Sequence, residues 1–258
     1  MKFFKSLKLI LLLFICSGFT FIACSSSDDD DNDDNIIVVN DAGQIPGLGN
    51  TDGELTGKAF QLPSGITLEQ DITGYDGSYK SAIDKKESNT VEVALNSLPK
   101  ANIDIDEVIG SGYYVTLLLN LKNGTDKDVE IEFPAGLIIK SRSGDYQNGV
   151  LLKKTKATIS ANQTENIVLL MYCGNASRRS SSSYEKYDWA VISNSSLIVD
   201  LCNRLANKKI NYEEFASTEV SSYVLQVTHL QDILWKLTDE EGISDEDIQY
   251  INKLPDSN

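Results

Sequence analysis

The side chains best suited to chemistry in this chain are four cysteines (Cys16, Cys24, Cys173 and Cys202), one histidine (His229) and one glutamine, Gln231, set among apolar neighbours. At about 100° per residue His229 falls nearly opposite Val227, on the solvent side of a helix. No Gly-x-Ser-x-Gly surrounds a serine, no His/Cys group has metal-ligand spacing, and no glycine loop is shaped for phosphate. Carboxylates are abundant, but no facing pair of the kind glycoside hydrolysis needs can be picked out. The expectation is a non-enzymatic protein with no metal. Gln231 lies about 40° from Val227, inside the apolar stripe of the same helix. A buried amide left unpaired costs about 1–3 kcal/mol, so Gln231 requires a specific partner, and a loop backbone group of the β-sandwich is the expected one.

The cysteines must be sorted by position. Lys2, Lys5 and Lys8 precede an apolar run from Leu9 to Ala23, the pattern of an export signal. A membrane span needs about 20 apolar residues, and an uncleaved helical anchor is the alternative the short run disfavours. Phe21-Ile22-Ala23-Cys24 resembles the bacterial lipobox. The resemblance implies cleavage after Ala23, thioether attachment of diacylglycerol to Cys24 and a further acyl chain on the new amine. Two or more chains hold a protein at a bilayer stably. No other cofactor is expected. Ser25 to Asn35 reads SSSDDDDNDDN, a self-repelling, solvated tether by composition. Directly after a lipobox, it is similar to the Ser/Asp-rich export signal of Bacteroidetes-type surface lipoproteins. That resemblance implies the cell outer membrane, with the protein lipid-anchored and facing the exterior. A calcium loop of EF-hand type fits Asp28, Asp30 and Asn32, but Asp33 stands where the loop needs glycine and the distal glutamate is missing.

With Cys16 lost in the signal and Cys24 lipidated, Cys173 and Cys202 remain as thiols. Export permits a disulfide between them, which would close the loop from one to the other and stabilise by about 2–4 kcal/mol. Cys202 also fits an apolar helical stripe as a buried thiol. A second resemblance bears on Cys173. Met171-Tyr172-Cys173 and Leu230-Gln231-Asp232-Ile233-Leu234-Trp235 look like the motif pair of bacterial thioester adhesion domains. That family joins the cysteine thiol to the glutamine side chain with loss of ammonia, giving an electrophile that captures amines. Carried over, Cys173 is the thiol and Gln231 the acyl donor, a fate exclusive of the disulfide. The resemblance covers these two stretches and the strand-then-helix order, and Asp232 departs from the small residue expected there.

Charge narrows the partners. The chain of 258 residues carries a net charge of −15, and loss of residues 1–23 removes three lysines and no acid, leaving −18. Six of those charges are the aspartates of the tether, so the body stays acidic by 12. A body of that sign offers phosphates no basic footprint, and nucleic acid is not an expected partner. The expected partners are the membrane, through the lipid, and an unknown extracellular protein or glycan.

The elements that must position these side chains are mainly β, then helical. Val115, Leu117, Leu119 and Leu121 share one face of a long β-rich run. Asn123-Gly124 reads as hairpin-turn chemistry, and Val129–Phe133 alternates apolar and acidic. Strands also fit Leu137–Lys140, Gly149–Leu152, Ala157–Ile159, Asn166–Tyr172 and Thr90–Leu95. Short strands between turn signals indicate an immunoglobulin-like antiparallel β-sandwich. Apolar stripes over Leu197–Leu205 and Val220–Leu237, with a capping box at Ser244 before Ile248, Ile251 and Leu254, predict a C-terminal helical cap. The expected domains are a signal peptide at 1–23, a lipidated cysteine and flexible tether at 24–57, the β-sandwich at 58–173, and an exposed loop with the helical cap at 174–258. The reading is a surface-exposed lipoprotein acting as a binding or adhesion module. The covalent adhesin and an accessory subunit of an envelope complex are the alternatives.

Overall fold

A computed structural model describes residues 36–76 and 105–257. The signal, Cys24, the acidic run and the Thr90–Leu95 strand lie outside the described residues. Within them the strands are β1 (Gly57–Ala59), β2 (Ile66–Leu68), β3 (Ile72–Gly74), β4 (Glu107–Gly110), β5 (Val115–Asn123), β6 (Val129–Phe133), β7 (Leu137–Ser141), β8 (Gly149–Val150), β9 (Thr155–Ile159), β10 (Thr164–Cys173) and β11 (Lys186–Ser193). The helices are α1 (Ser196–Leu205), α2 (Val220–Asp239) and α3 (Asp245–Lys253). The protein is mainly β, its strands largely antiparallel, with helices at the C-terminal end.

The immunoglobulin-like sandwich is corrected by the pairing. The main sheet runs β5–β3–β11–β7–β8–β10, and β10 pairs with β5 again, so six strands close into a barrel. Two very short strands make the closure. β3 joins Leu118 of β5 to Tyr187 of β11 through Thr73 and Ile72, and Val150 of β8 lies between Ile138 of β7 and Tyr172 of β10. Strands of two or three residues carry no readable periodicity, which is why the sequence pattern pointed to two open sheets. β4 adds to β10 in parallel, and β6 and β9 form a separate ribbon.

The wall of the barrel is apolar on both faces where helices cover it. Ile167, Leu169, Met171 and Cys173 of β10 belong to the cluster filling the barrel, with Val115, Leu117, Leu119 and Leu121 of β5. Val168, Leu170 and Tyr172 face outward into a second cluster with Ile198, Leu201 and Cys202 of α1 and Val227, Leu230 and Leu234 of α2. A strand buried on both faces reads as a continuous apolar run, as Ile167–Cys173 does. The expected helical stripes are the buried ones, and Ser244 caps α3 by accepting from the Asp247 N–H while Asp247 accepts from the Ser244 N–H.

Two boundaries and one turn are also corrected. β11 follows Cys173 yet belongs to the barrel, so the division at 173/174 cuts through one structure. The segment from Ile36 to Thr56, expected as linker with pairing only at Ile36–Val39, packs into the body: Leu48 is fully buried and Ile45 nearly so, while Val38 does bridge to Ser195. Gly49 shows why this stretch is glycine-rich. Its φ is +57°, and a Cβ there would stand 1.9 Å from the Thr238 carbonyl oxygen at the end of α2. Asn123-Gly124 does turn the chain, with Asn123 Oδ1 accepting from the Thr125 N–H at 2.9 Å, but β6 then pairs with β9 rather than forming a hairpin with β5.

Candidate functional site

The site is built at the end of β10. Gly174 donates its N–H to Asn148 O on the β8 side, so the Cys173 N–H and C=O point to the other edge. Along that edge β5 is the partner, but its last pair is Val115 with Met171. Beyond it the Cys173 main chain has no strand neighbour. Gln231 supplies one. The Cys173 N–H donates to Gln231 Oε1 at 2.8 Å, and Gln231 Nε2 donates to Cys173 O at 2.8 Å. A primary amide carries the same donor and acceptor as a peptide group, so the side chain continues the ladder. The partner is a backbone group, as expected, but it belongs to the last residue of a strand and not to a loop.

The thiol lies in a different direction. Cys173 Sγ sits in the barrel cluster, accepts the Asn175 N–H at 3.3 Å, and has the Trp235 indole beside it, with no N–H contact of hydrogen-bond geometry. Burial pushes its pKa up to about 11, against smaller lowering by Asn175 and Trp235. Burial likewise pushes Cys202 to about 12 in the outer cluster, under α1. Both thiols are free, on opposite sides of the barrel wall. The expected disulfide is thus not formed, since the wall separates the two side chains. Cys173 and Gln231 are brought together as the thioester resemblance requires, but their contact runs through the cysteine main chain.

Around this pair a polar network fastens the barrel end. Asn175 Nδ2 donates to Gly49 O at 2.9 Å, and Asn175 Oδ1 accepts from the Asn148 N–H at 3.1 Å. Asn148 Oδ1 accepts from the Ser141 N–H at 3.0 Å, and the Ser141 hydroxyl donates to Glu185 at 2.6 Å. Burial alone would raise the Glu185 pKa, but the Ser141 and Ser143 hydrogen bonds outweigh it and hold the carboxyl below its usual range. The 174–187 stretch, expected as an exposed flexible loop, is largely exposed from Ala176 to Tyr184 but is pinned near its two ends by Asn175 and Glu185.

His229 is exposed, as its wheel position requires, and stacks on Tyr250 at 3.7 Å between centroids. It borders a groove of about 460 Å³ with Asp232, Trp235, Lys236 and Asp247. A larger cleft, about 590 Å³, opens between β3 and β11, where Trp189, Gln70, Asp71, Arg142 and Asp188 meet. The sequence reading passed over these residues. Their one signal was the alternation Tyr187-Asp188-Trp189, hidden behind a serine-rich loop. It also missed a pair of adjacent glutamates with opposite fates. Burial raises the Glu213 pKa although Gly110 N–H (2.9 Å) and the Thr155 hydroxyl bond to it. Burial would raise that of Glu214, but Lys153 at 2.6 Å, Ser257 and the Asn211 N–H together outweigh burial and lower it. Among the described residues no group of three His, Cys, Asp or Glu side chains is placed to hold a metal.

Comparison with protein-family models, with curated proteins and with solved structures returns no match to this chain.

Proposed function

We propose that this protein is an outer-membrane lipoprotein, anchored through lipid on Cys24 and facing the exterior, whose barrel and helices form a non-enzymatic binding or adhesion module. The observation that carries the reading is the order of segments from Lys2 to Asn35: a basic start, a short apolar run, Ala23-Cys24, then the serine and aspartate run. Eleven residues, Ser25 to Asn35, separate Cys24 from the described body, a spacer that spans up to about 35–40 Å when extended. The body adds a barrel with concave surfaces beside His229 and between β3 and β11. Protease added to intact cells tests it. The domain should be digested without lysis; protection in intact cells together with digestion in lysed ones would remove surface display.

A second reading is covalent capture of amines by a Cys173–Gln231 thioester; the two residues adjoin, with the amide on the cysteine main chain, so the reading requires the Gln231 side chain to turn from that main chain to the thiol. Intact-mass measurement on the purified protein decides it. Loss of one ammonia, abolished in Cys173→Ala, supports the thioester, and an unmodified mass rules it out.

A further inference from the structure

The cleft beside β11 exists because the barrel wall is split there. β3 covers β11 as far as Tyr187 and β1 covers it again from Val191, so along this edge Asp188–Ala190 has no strand partner. Trp189 stands at the opening. Its indole stacks on Phe133 at 6.0 Å and meets Phe60 at 4.8 Å, and those two rings fix its orientation while its remaining surface lines the cleft. The indole N–H is buried and has no acceptor among the described residues.

The rim is held by ion pairs made before any ligand arrives. Arg142 donates from Nε to Asp188 at 2.9 Å and from Nη2 to Asp71 at 2.9 Å, and Lys186 reaches the other oxygen of Asp71 at 2.6 Å. Arg142 Nη1 and the Gln70 amide have no hydrogen-bond partner among the described residues. The cleft therefore presents an aromatic surface, fixed carboxylate acceptors, a spare guanidinium donor and an amide that both donates and accepts. Side chains already held by mutual contacts lose little freedom on binding.

That set has a matching chemistry. A pyranose ring offers a face of C–H groups to an aromatic ring and, around its edge, hydroxyls that donate and accept at once. The lining carboxylates Glu69, Asp71 and Asp188 are balanced by Lys122, Arg142 and Lys186, which leaves no unmet charge for an ionic ligand, and an acidic body repels anions. We infer that this cleft, at Trp189, Gln70, Asp71, Arg142 and Asp188, binds a neutral carbohydrate. The inference deepens the binding-module reading and rests on it for its biological setting, not for its chemistry.

The two tryptophans, Trp189 and Trp235, make a direct probe, because ¹⁵N-labelled protein shows one indole N–H signal from each. The intact protein is titrated with cello-, xylo-, manno- and maltohexaose, with Trp189→Phe assigning the signals. At least one sugar should shift the Trp189 signal saturably and leave Trp235 in place. Gln70→Ala and Asp188→Asn should each weaken that binding at least tenfold with the melting temperature unchanged. No shift with any of the four sugars, a shift confined to Trp235, undiminished binding in both variants, or a response to the amine spermidine in place of sugar would overturn it. Cell-surface protease digestion reads display independently, so a periplasmic protein that binds sugar and a surface protein that does not are told apart.

Discussion

Gln231 pairs with Cys173 as a neighbouring strand would, through two 2.8 Å hydrogen bonds from one side-chain amide to the N–H and C=O of one residue. The contact ties the middle of α2 to the end of β10 just where β5 stops. It makes the helix a working part of the barrel rather than a layer laid over it. Gln231 is fully buried, so both main-chain groups depend on it.

Gln231→Leu keeps the apolar contacts of the stripe and removes both hydrogen bonds. Each orphaned buried group costs about 1–3 kcal/mol, so a loss of about 2–6 kcal/mol is expected by urea unfolding. A variant as stable as the parent would show that the two groups find water instead.

Cys173 and Cys202 should both resist a thiol reagent in the folded protein near pH 8 and both react once it is unfolded in urea. Their pKa values of about 11 and about 12 leave little thiolate there, and burial blocks access. Reaction of either in the folded state would contradict this placement.

Glu213 and Glu214 should give pH dependences of opposite sign. The folded pKa of Glu214 lies below its ordinary 4.5, so its contribution is present above that value and is lost as pH falls through the folded pKa. The folded pKa of Glu213 lies above 4.5, so its contribution is present below that value and is lost as pH rises through the folded pKa. Between about pH 3 and about pH 7, the stability of Glu214→Gln relative to the parent should fall with pH, and that of Glu213→Gln should rise. Denaturant midpoints measured across that range check it, and parallel slopes would refute it.

Leu48→Ala should destabilise by about 2–5 kcal/mol, because Leu48 is a fully buried member of the outer cluster rather than part of a linker. A chain begun at Gly57 should melt well below one begun at Asp34, having lost Leu48 and the Gly49 carbonyl that accepts from Asn175. Equal melting temperatures would return the segment to the tether.

Much of this was legible where an element is long enough to show its period. Val115–Leu121 alternates and is a strand, Val220–Leu237 repeats every three to four residues and is a helix, and Ser244 announces α3. The burial of Gln231 followed from its place on that helix. Other features could not be read, because they depend on residues far apart in the chain. β3 and β8 close the barrel with five residues between them, too few for any pattern. Leu48 is one leucine between glycines until Gly49 meets the end of α2.

The same division holds for function. Sequence by itself supplied the whole ground of the proposed anchor, because a charged start, an apolar run and a cysteine are linear text. It also determined that residue 231 must find a polar partner, since an amide in an apolar stripe has no other affordable state. Only the tertiary structure decided that the partner is the Cys173 main chain and not its thiol. Strand ends, the direction of each peptide group and the side of the wall a thiol faces are set by barrel closure. For the same reason Gln70, Arg142 and Trp189 meet in one cleft although more than a hundred residues separate the first from the last.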